Sequence, residues 1–247
     1  MVKINLLLLF VVMMVITLSG CASVAGTTIA VETNSSLPGV TVTLHGEPQQ
    51  LSGTPLTVGS RLPESYLVDS ITLKKIDISQ LKGKVLFLSL VPSLENTSQM
   101  KGKILHSKLM PSLESRFCET QTQYLGEHGD DLPPDVLRIT ISSDSPLDQK
   151  RFADRAKYDG ITYLSDYSSS SFGRSTGLLV TDRKYIARAV ILVDKEGIVR
   201  YLQVVPELTH LPDMKRAFSI ARKLAETNEI RAKTPRAVTS SLSTVPL

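Results

Sequence analysis

Tryptophan is absent from this chain, and cysteine occurs only twice, as Cys21 and Cys118. Two cysteines cannot build a multi-disulfide scaffold, so stability has to come from a hydrophobic core. The four histidines, His45, His106, His128 and His210, show no ligand-like spacing, and no metal site is expected. A Gly-rich phosphate loop and a Gly-x-Ser-x-Gly nucleophile turn are both missing. Charge of one sign is not concentrated either. The 28 basic and 24 acidic residues are dispersed, which argues against a nucleic-acid surface.

What is there is ordinary globular composition, 247 residues with 42% hydrophobic and 21% charged, which fits one main domain. Residues 1–20 read as a leader, with Lys3 as a short basic start and an apolar run over 6–18. The run ends Leu18-Ser19-Gly20-Cys21, which resembles a bacterial lipobox, in which the cysteine is lipidated and becomes the N-terminus. The alternatives are an ordinary signal peptide or an uncleaved anchor. Acyl chains on Cys21 would tether the protein by burying methylenes in a bilayer. Ala22 in place of Asp implies, by the same resemblance, the outer membrane of the cell envelope, facing the periplasm.

Residues 21–39 are small and polar without periodicity and read as a flexible tether, the main domain as 40–228, and 229–247 as a disordered basic tail. VTVTLHGEPQQL, 40–51, alternates and predicts a hairpin turning at Gly46-Glu47-Pro48. SYLVDSITLKKIDISQLKGK suggests a short strand and a turn, and VLFLSLV, 85–91, a strand buried on both faces. NTSQMKGKILHSKL, 96–109, has no clear pattern. A helix is expected from Cys118 to about Glu127, a strand over 136–143, a helix in PLDQKRFADRAKY, and a strand-turn-strand unit from 189. SDYSSSSFG, 165–173, reads as loop, and 212–226 as an amphipathic helix. The sum is α/β, with a central mixed sheet flanked by helices and an N-terminal β-hairpin.

If Cys21 is lipidated, Cys118 has no partner in the chain, and an unpaired thiol in an exported protein is a candidate reactive group. The thiolate is the nucleophile, and a helix N-terminus would favour it. The spacing Pro111, Ser115, Cys118 in MPSLESRFCETQT resembles the active-site motif of peroxiredoxins, closest to the bacterial thiol peroxidase (atypical 2-Cys) subfamily. LHGEPQQL, SSDSPLDQKRF and ARAVILVDKEGIV resemble further segments of that subfamily, so that the likeness spans about 40–225. It implies a thioredoxin-like fold with Pro111, Ser115, Cys118 and Arg188 in one pocket. It also implies peroxide as substrate, an external thiol reductant, no metal or organic cofactor, and a homodimer. Gln121 would lend minor support, and Glu114 reads as a loop or capping acid.

Three departures stand out. The subfamily's resolving cysteine falls on Ala153, so the expected cycle is of the one-cysteine kind, through a sulfenic acid on Cys118. PSLE occurs twice, at 92–95 and 111–114, so two registers exist: one gives Pro111, Ser115 and Cys118, the other Pro92, Asn96 and Gln99 and a dead site. Ser115 stands for the usual Thr and lacks the methyl that fixes the hydroxyl. Two functions remain open: a lipid-anchored thiol peroxidase, or a redox-inactive relative acting as an envelope binding module.

Overall fold

The computed structural model describes residues 29–94 and 112–233; within them the side chains of 112–115 and 228–233 are not described. The chain enters through β1 (Val31–Glu32) and a hairpin of β2 (Thr41–Leu44) and β3 (Glu47–Ser52). The turn is His45-Gly46, one residue earlier than the sequence suggests. Both residues have positive φ, 53° and 81°, the two-residue geometry whose twist matches the paired strands. A second hairpin follows, β4 (Tyr66–Asp69) and β5 (Lys75–Asp77), then the central strand β6 (Val85–Leu90).

Helix α1 spans Ser112–Glu127, β7 Val136–Ser142, α2 Pro146–Ala156 and β8 Ile161–Ser165. Helix α1 begins six residues before the expected start at Cys118. No glycine or proline interrupts Ser112 to Leu125, and nothing in that run would stop a helix. Helix α2 starts with Ser145 capping the Asp148 amide and Pro146 in the first turn, a strong local start signal. Short α3 (Ser171–Thr176) lies inside the stretch read as loop; the Asp166 carboxylate accepts from the amides of Phe172 and Gly173 at 3.0 and 2.9 Å and fixes its first turn. The chain continues through β9 (Leu179–Val180), β10 (Tyr185–Ile186), β11 (Ala189–Val193), β12 (Val199–Val204), β13 (Leu211–Pro212) and α4 (Met214–Lys233). Helix α4 runs past residue 228, into what the sequence reading gave to the tail.

The main sheet has the order β12-β11-β6-β7-β8-β4-β5 and is mixed: β6, β7 and β8 run parallel, joined through α1 and α2, and β11 and β4 pair antiparallel. One face carries Leu86, Leu88, Leu90, Ile139, Ile141 and Ile191 against the hairpin side. The other carries Val85, Phe87, Val190 and Leu192 against Met214, Ala217, Phe218 and Ala221 of α4. Burial on both faces is why VLFLSL reads as an unbroken apolar run.

The stretch read as tether is held from Val31 onward. β1 pairs parallel with β13, the Gln203 amide donates to the carbonyls of Glu32 and Asn34, and the Ser36 amide donates to the Val204 carbonyl at 2.8 Å. Glu207 ties the first hairpin to the same edge. It accepts from the amides of His45 and Gly46, each at 3.0 Å, from the Thr43 hydroxyl at 2.7 Å and from the Thr209 amide and hydroxyl.

Burial pushes the Glu207 carboxyl up, but those hydrogen bonds outweigh it and bring it down from 4.5 to about 2. Its stabilisation is therefore full above pH 4.5 and fades as pH falls toward 2. Glu207→Gln is expected to cost about 1–2 kcal/mol at neutral pH, allowing for solvent screening. The variant should also unfold with a shallower pH dependence through that acid window, read by thermal melts at stepped pH.

Candidate functional site

Cys118 lies in the second turn of α1, where the helix's own carbonyls already engage the backbone amides. The free-amide environment expected at the sulfur is therefore absent, and the positive charge comes from elsewhere. Arg188, in the link between β10 and β11, is fully buried and reaches across to α1. Its Nη2 donates to Cys118 Sγ at 3.3 Å, its Nη1 to Gln121 Oε1 at 3.0 Å and its Nε to the Leu208 carbonyl at 2.9 Å. The guanidinium is held on three sides and aimed at the sulfur.

Gln121 does more than the minor support expected of it. Its Nε2 donates to Ser89 Oγ at 2.9 Å, the Leu90 carbonyl at 3.3 Å and the Ala189 carbonyl at 3.4 Å. Those acceptors fix the amide's orientation and leave its oxygen for Arg188. Residue 121 follows 118 by about one helical turn, so both side chains face the sheet. The bond between Gln121 and Arg188 crosses 67 positions of sequence, and no local pattern announces it.

Cys118 is itself wholly buried, packed in a cluster with Val91, Leu94, Phe152 and Tyr163. Ala153, where the sequence likeness puts a resolving cysteine, packs against the same cluster. The first PSLE is also fixed here. The Leu94 amide donates to the Asp144 carboxylate at 2.6 Å, the Ser142 hydroxyl does so at 2.6 Å, and the Ser93 hydroxyl donates to the same group. Burial pushes the Asp144 carboxyl up while those three donors pull against it. Ser93 and Leu94 thus close the end of β6 under a buried acid, and α1 opens at Ser112.

Of the residues singled out from sequence, the structure brings Cys118 and Arg188 together, with Gln121 between α1 and the sheet. Ser115 lies on α1, three residues before the cysteine, and its side chain is not described. Pro111 and Cys21, and the alternative register at Asn96 and Gln99, lie outside the described residues. Chemically, a positive fork beside a buried sulfur can stabilise a thiolate and orient an incoming oxygen.

A family model described as Redoxin matches residues 57–218. A thiol peroxidase of Streptococcus pneumoniae is 30% identical over 183 residues, covering 74% of this chain and 99% of that protein. One of Halalkalibacterium halodurans is 29% identical over 181 residues, covering 73% and 96%. Among solved structures, a peroxiredoxin-like protein from Aquifex aeolicus superposes with a TM-score of 0.62 at 29% identity, covering 76% of this chain and 98% of that one. By sequence and by fold, then, the chain belongs to the Redoxin family and is a peroxiredoxin-like oxidoreductase of the bacterial thiol peroxidase group.

Proposed function

We propose that the protein reduces hydrogen peroxide or alkyl hydroperoxides through Cys118 in a one-cysteine cycle. The observation that carries this reading is the Arg188 Nη2 to Cys118 Sγ contact at 3.3 Å, set in a hydrogen-bonded frame inside a thiol peroxidase relative. The thiolate attacks one peroxide oxygen. The S–O bond forms as the O–O bond breaks, and the departing oxygen takes a proton and leaves as water or an alcohol. Arg188 holds the developing charge, Ser115 orients the peroxide, and Pro111 shields the sulfur. Ala153 offers no second sulfur, so the sulfenic acid is reduced by an external thiol. No metal or organic cofactor takes part. Acylated Cys21 tethers the enzyme to the membrane, in this reading the outer membrane facing the periplasm, and two copies form a homodimer.

A specific observation favours the other reading, a redox-inactive binding module of the envelope. Cys118 has no exposed surface. The two are separated by the second-order reaction of the reduced, leaderless protein with hydrogen peroxide and with an alkyl hydroperoxide, with trapping and intact mass at Cys118. The enzymatic reading expects a rate far above that of free cysteine and one added oxygen on Cys118. A rate equal to free cysteine with both oxidants would sink it and leave the binding module.

A further inference from the structure

We infer that the Tyr163 hydroxyl donates a hydrogen bond to the oxygen that Cys118 acquires on oxidation, and so holds the sulfenic acid until a reductant arrives. The inference rests on the peroxidase reading above. It starts from an oddity of the sheet floor. Ser89 of β6, Thr140 of β7 and Tyr163 of β8 are register partners across three adjacent parallel strands, so their side chains share one face. That face lies under α1, because Gln121 reaches Ser89 there. A row of three hydroxyls thus runs beneath the helix that carries the cysteine, on a face that also holds Val85, Phe87, Val190 and Leu192, with Arg138, Ser142 and Ser165 at matching register positions.

Tyr163 shares a hydrophobic cluster with Cys118. It is only 3% exposed, and its hydroxyl has no hydrogen-bond partner among the described residues. An unpaired buried hydroxyl is costly, and native proteins retain few of them. The other buried members of the cluster, the sulfur aside, are the apolar Val91, Leu94 and Phe152. Burial, with a smaller push from Tyr158, also raises the phenol's pKa and keeps it a donor.

The oxidised state supplies the acceptor this hydroxyl lacks. When the thiolate takes one oxygen from a peroxide, sulfur loses two electrons, the O–O bond breaks, and the remaining oxygen leaves as water or an alcohol. The new S–O oxygen then stands on an atom already bonded by Arg188, in the cluster that Tyr163 lines. The sulfenate sulfur would attack a second peroxide, forming a second S–O bond as the O–O bond breaks and water or an alcohol leaves, and so become sulfinic acid. Chains with a resolving thiol escape by forming a disulfide, and Ala153 removes that escape. A donor on the sulfenate oxygen draws electron density from sulfur and makes the second attack slower.

The test is Tyr163→Phe, which should fold because the atom removed has no partner. Reduced wild type and variant are each treated with hydrogen peroxide, and sulfenic and sulfinic acid are followed by trapping and intact mass. The expected result is sulfinic acid forming roughly tenfold faster relative to the first oxidation of the same protein, the size of one hydrogen bond to a charged group. Thr140→Val removes an equally unpartnered hydroxyl from the neighbouring strand and should leave both steps unchanged. Equal sulfinic acid rates in Tyr163→Phe and wild type would overturn the inference while leaving the peroxidase reading intact. An equal rise in Thr140→Val would also overturn it, by showing general loosening of the floor. A wild type that forms no sulfenic acid would overturn both.

Discussion

A Cys118→Ser protein should consume peroxide no faster than buffer, while keeping its fold. Serine is nearly isosteric with cysteine, so the packing against Val91, Leu94 and Phe152 survives, and Arg188 still finds an oxygen to bond. What is lost is the nucleophile: an alcohol does not ionise usefully near neutral pH, and nothing in the described surroundings of Cys118 is placed as a general base for it. The electrostatic consequence goes further. Arg188 is fully buried, and its three described hydrogen bonds go to a carbonyl, an amide oxygen and the sulfur, none of them a carboxylate. A buried cation without a counter-ion is costly, and among the described residues bonded to it the sulfur is the atom able to carry a negative charge. The serine variant should therefore also melt at a somewhat lower temperature than wild type. Peroxide loss and a thermal melt on one preparation check both. Residual consumption at the wild-type rate would place the chemistry on some other group.

The parts of the fold that were legible in the sequence are those decided locally or by burial. The run at β6 and the strand at β7 announce themselves because both faces are covered, and α2 because Ser145 and Pro146 mark its start. Elements made by long-range pairing were not legible. β1 and β13 are two residues each and exist because Val31 meets Leu211 and Glu32 meets Pro212. The same pairing turns part of an apparent tether into structure. β8 was passed over, as five residues after Asp159-Gly160 with little alternation to mark them. Helix α1 starts earlier than a helix opening at Cys118 would, because Ser112 to Leu125 has no breaker.

The site divides the same way. Cys118 and Arg188 could be picked from the likeness of MPSLESRFCETQT and ARAVILVDKEGIV to known segments. The frame that aims them could not. Gln121 earns its place only through Ser89, Leu90 and Ala189, and the Leu208 carbonyl only through the return of the chain after β12. Around the first PSLE, Asp144 takes the amide of Leu94, 50 positions earlier in the chain, and no local pattern announces that bond.

That frame makes Arg188 the residue whose replacement should be most informative after the cysteine. Arg188→Met keeps an unbranched apolar stem and removes the charge and all three donors. Removing a preorganised donor to a developing negative charge lowers rates by about 10²–10³, and the rate with peroxide should fall to the upper end of that range. Arg188→Lys separates charge from geometry. An ammonium is a point donor on a flexible stem and cannot bond the Leu208 carbonyl, Gln121 Oε1 and Cys118 Sγ in the directions the planar fork reaches together. Lysine should recover part of the loss and leave the rate about 10²-fold below wild type, the cost of one misplaced donor. Stopped-flow oxidation of the three proteins at one pH, with melts to exclude unfolding, gives the ordering Arg, Lys, Met. Equal rates for Lys and Arg would mean that charge alone activates the sulfur and that the Gln121 frame is structural. Equal rates for Lys and Met would mean the opposite, that a positive charge not held by the frame does nothing for the reaction.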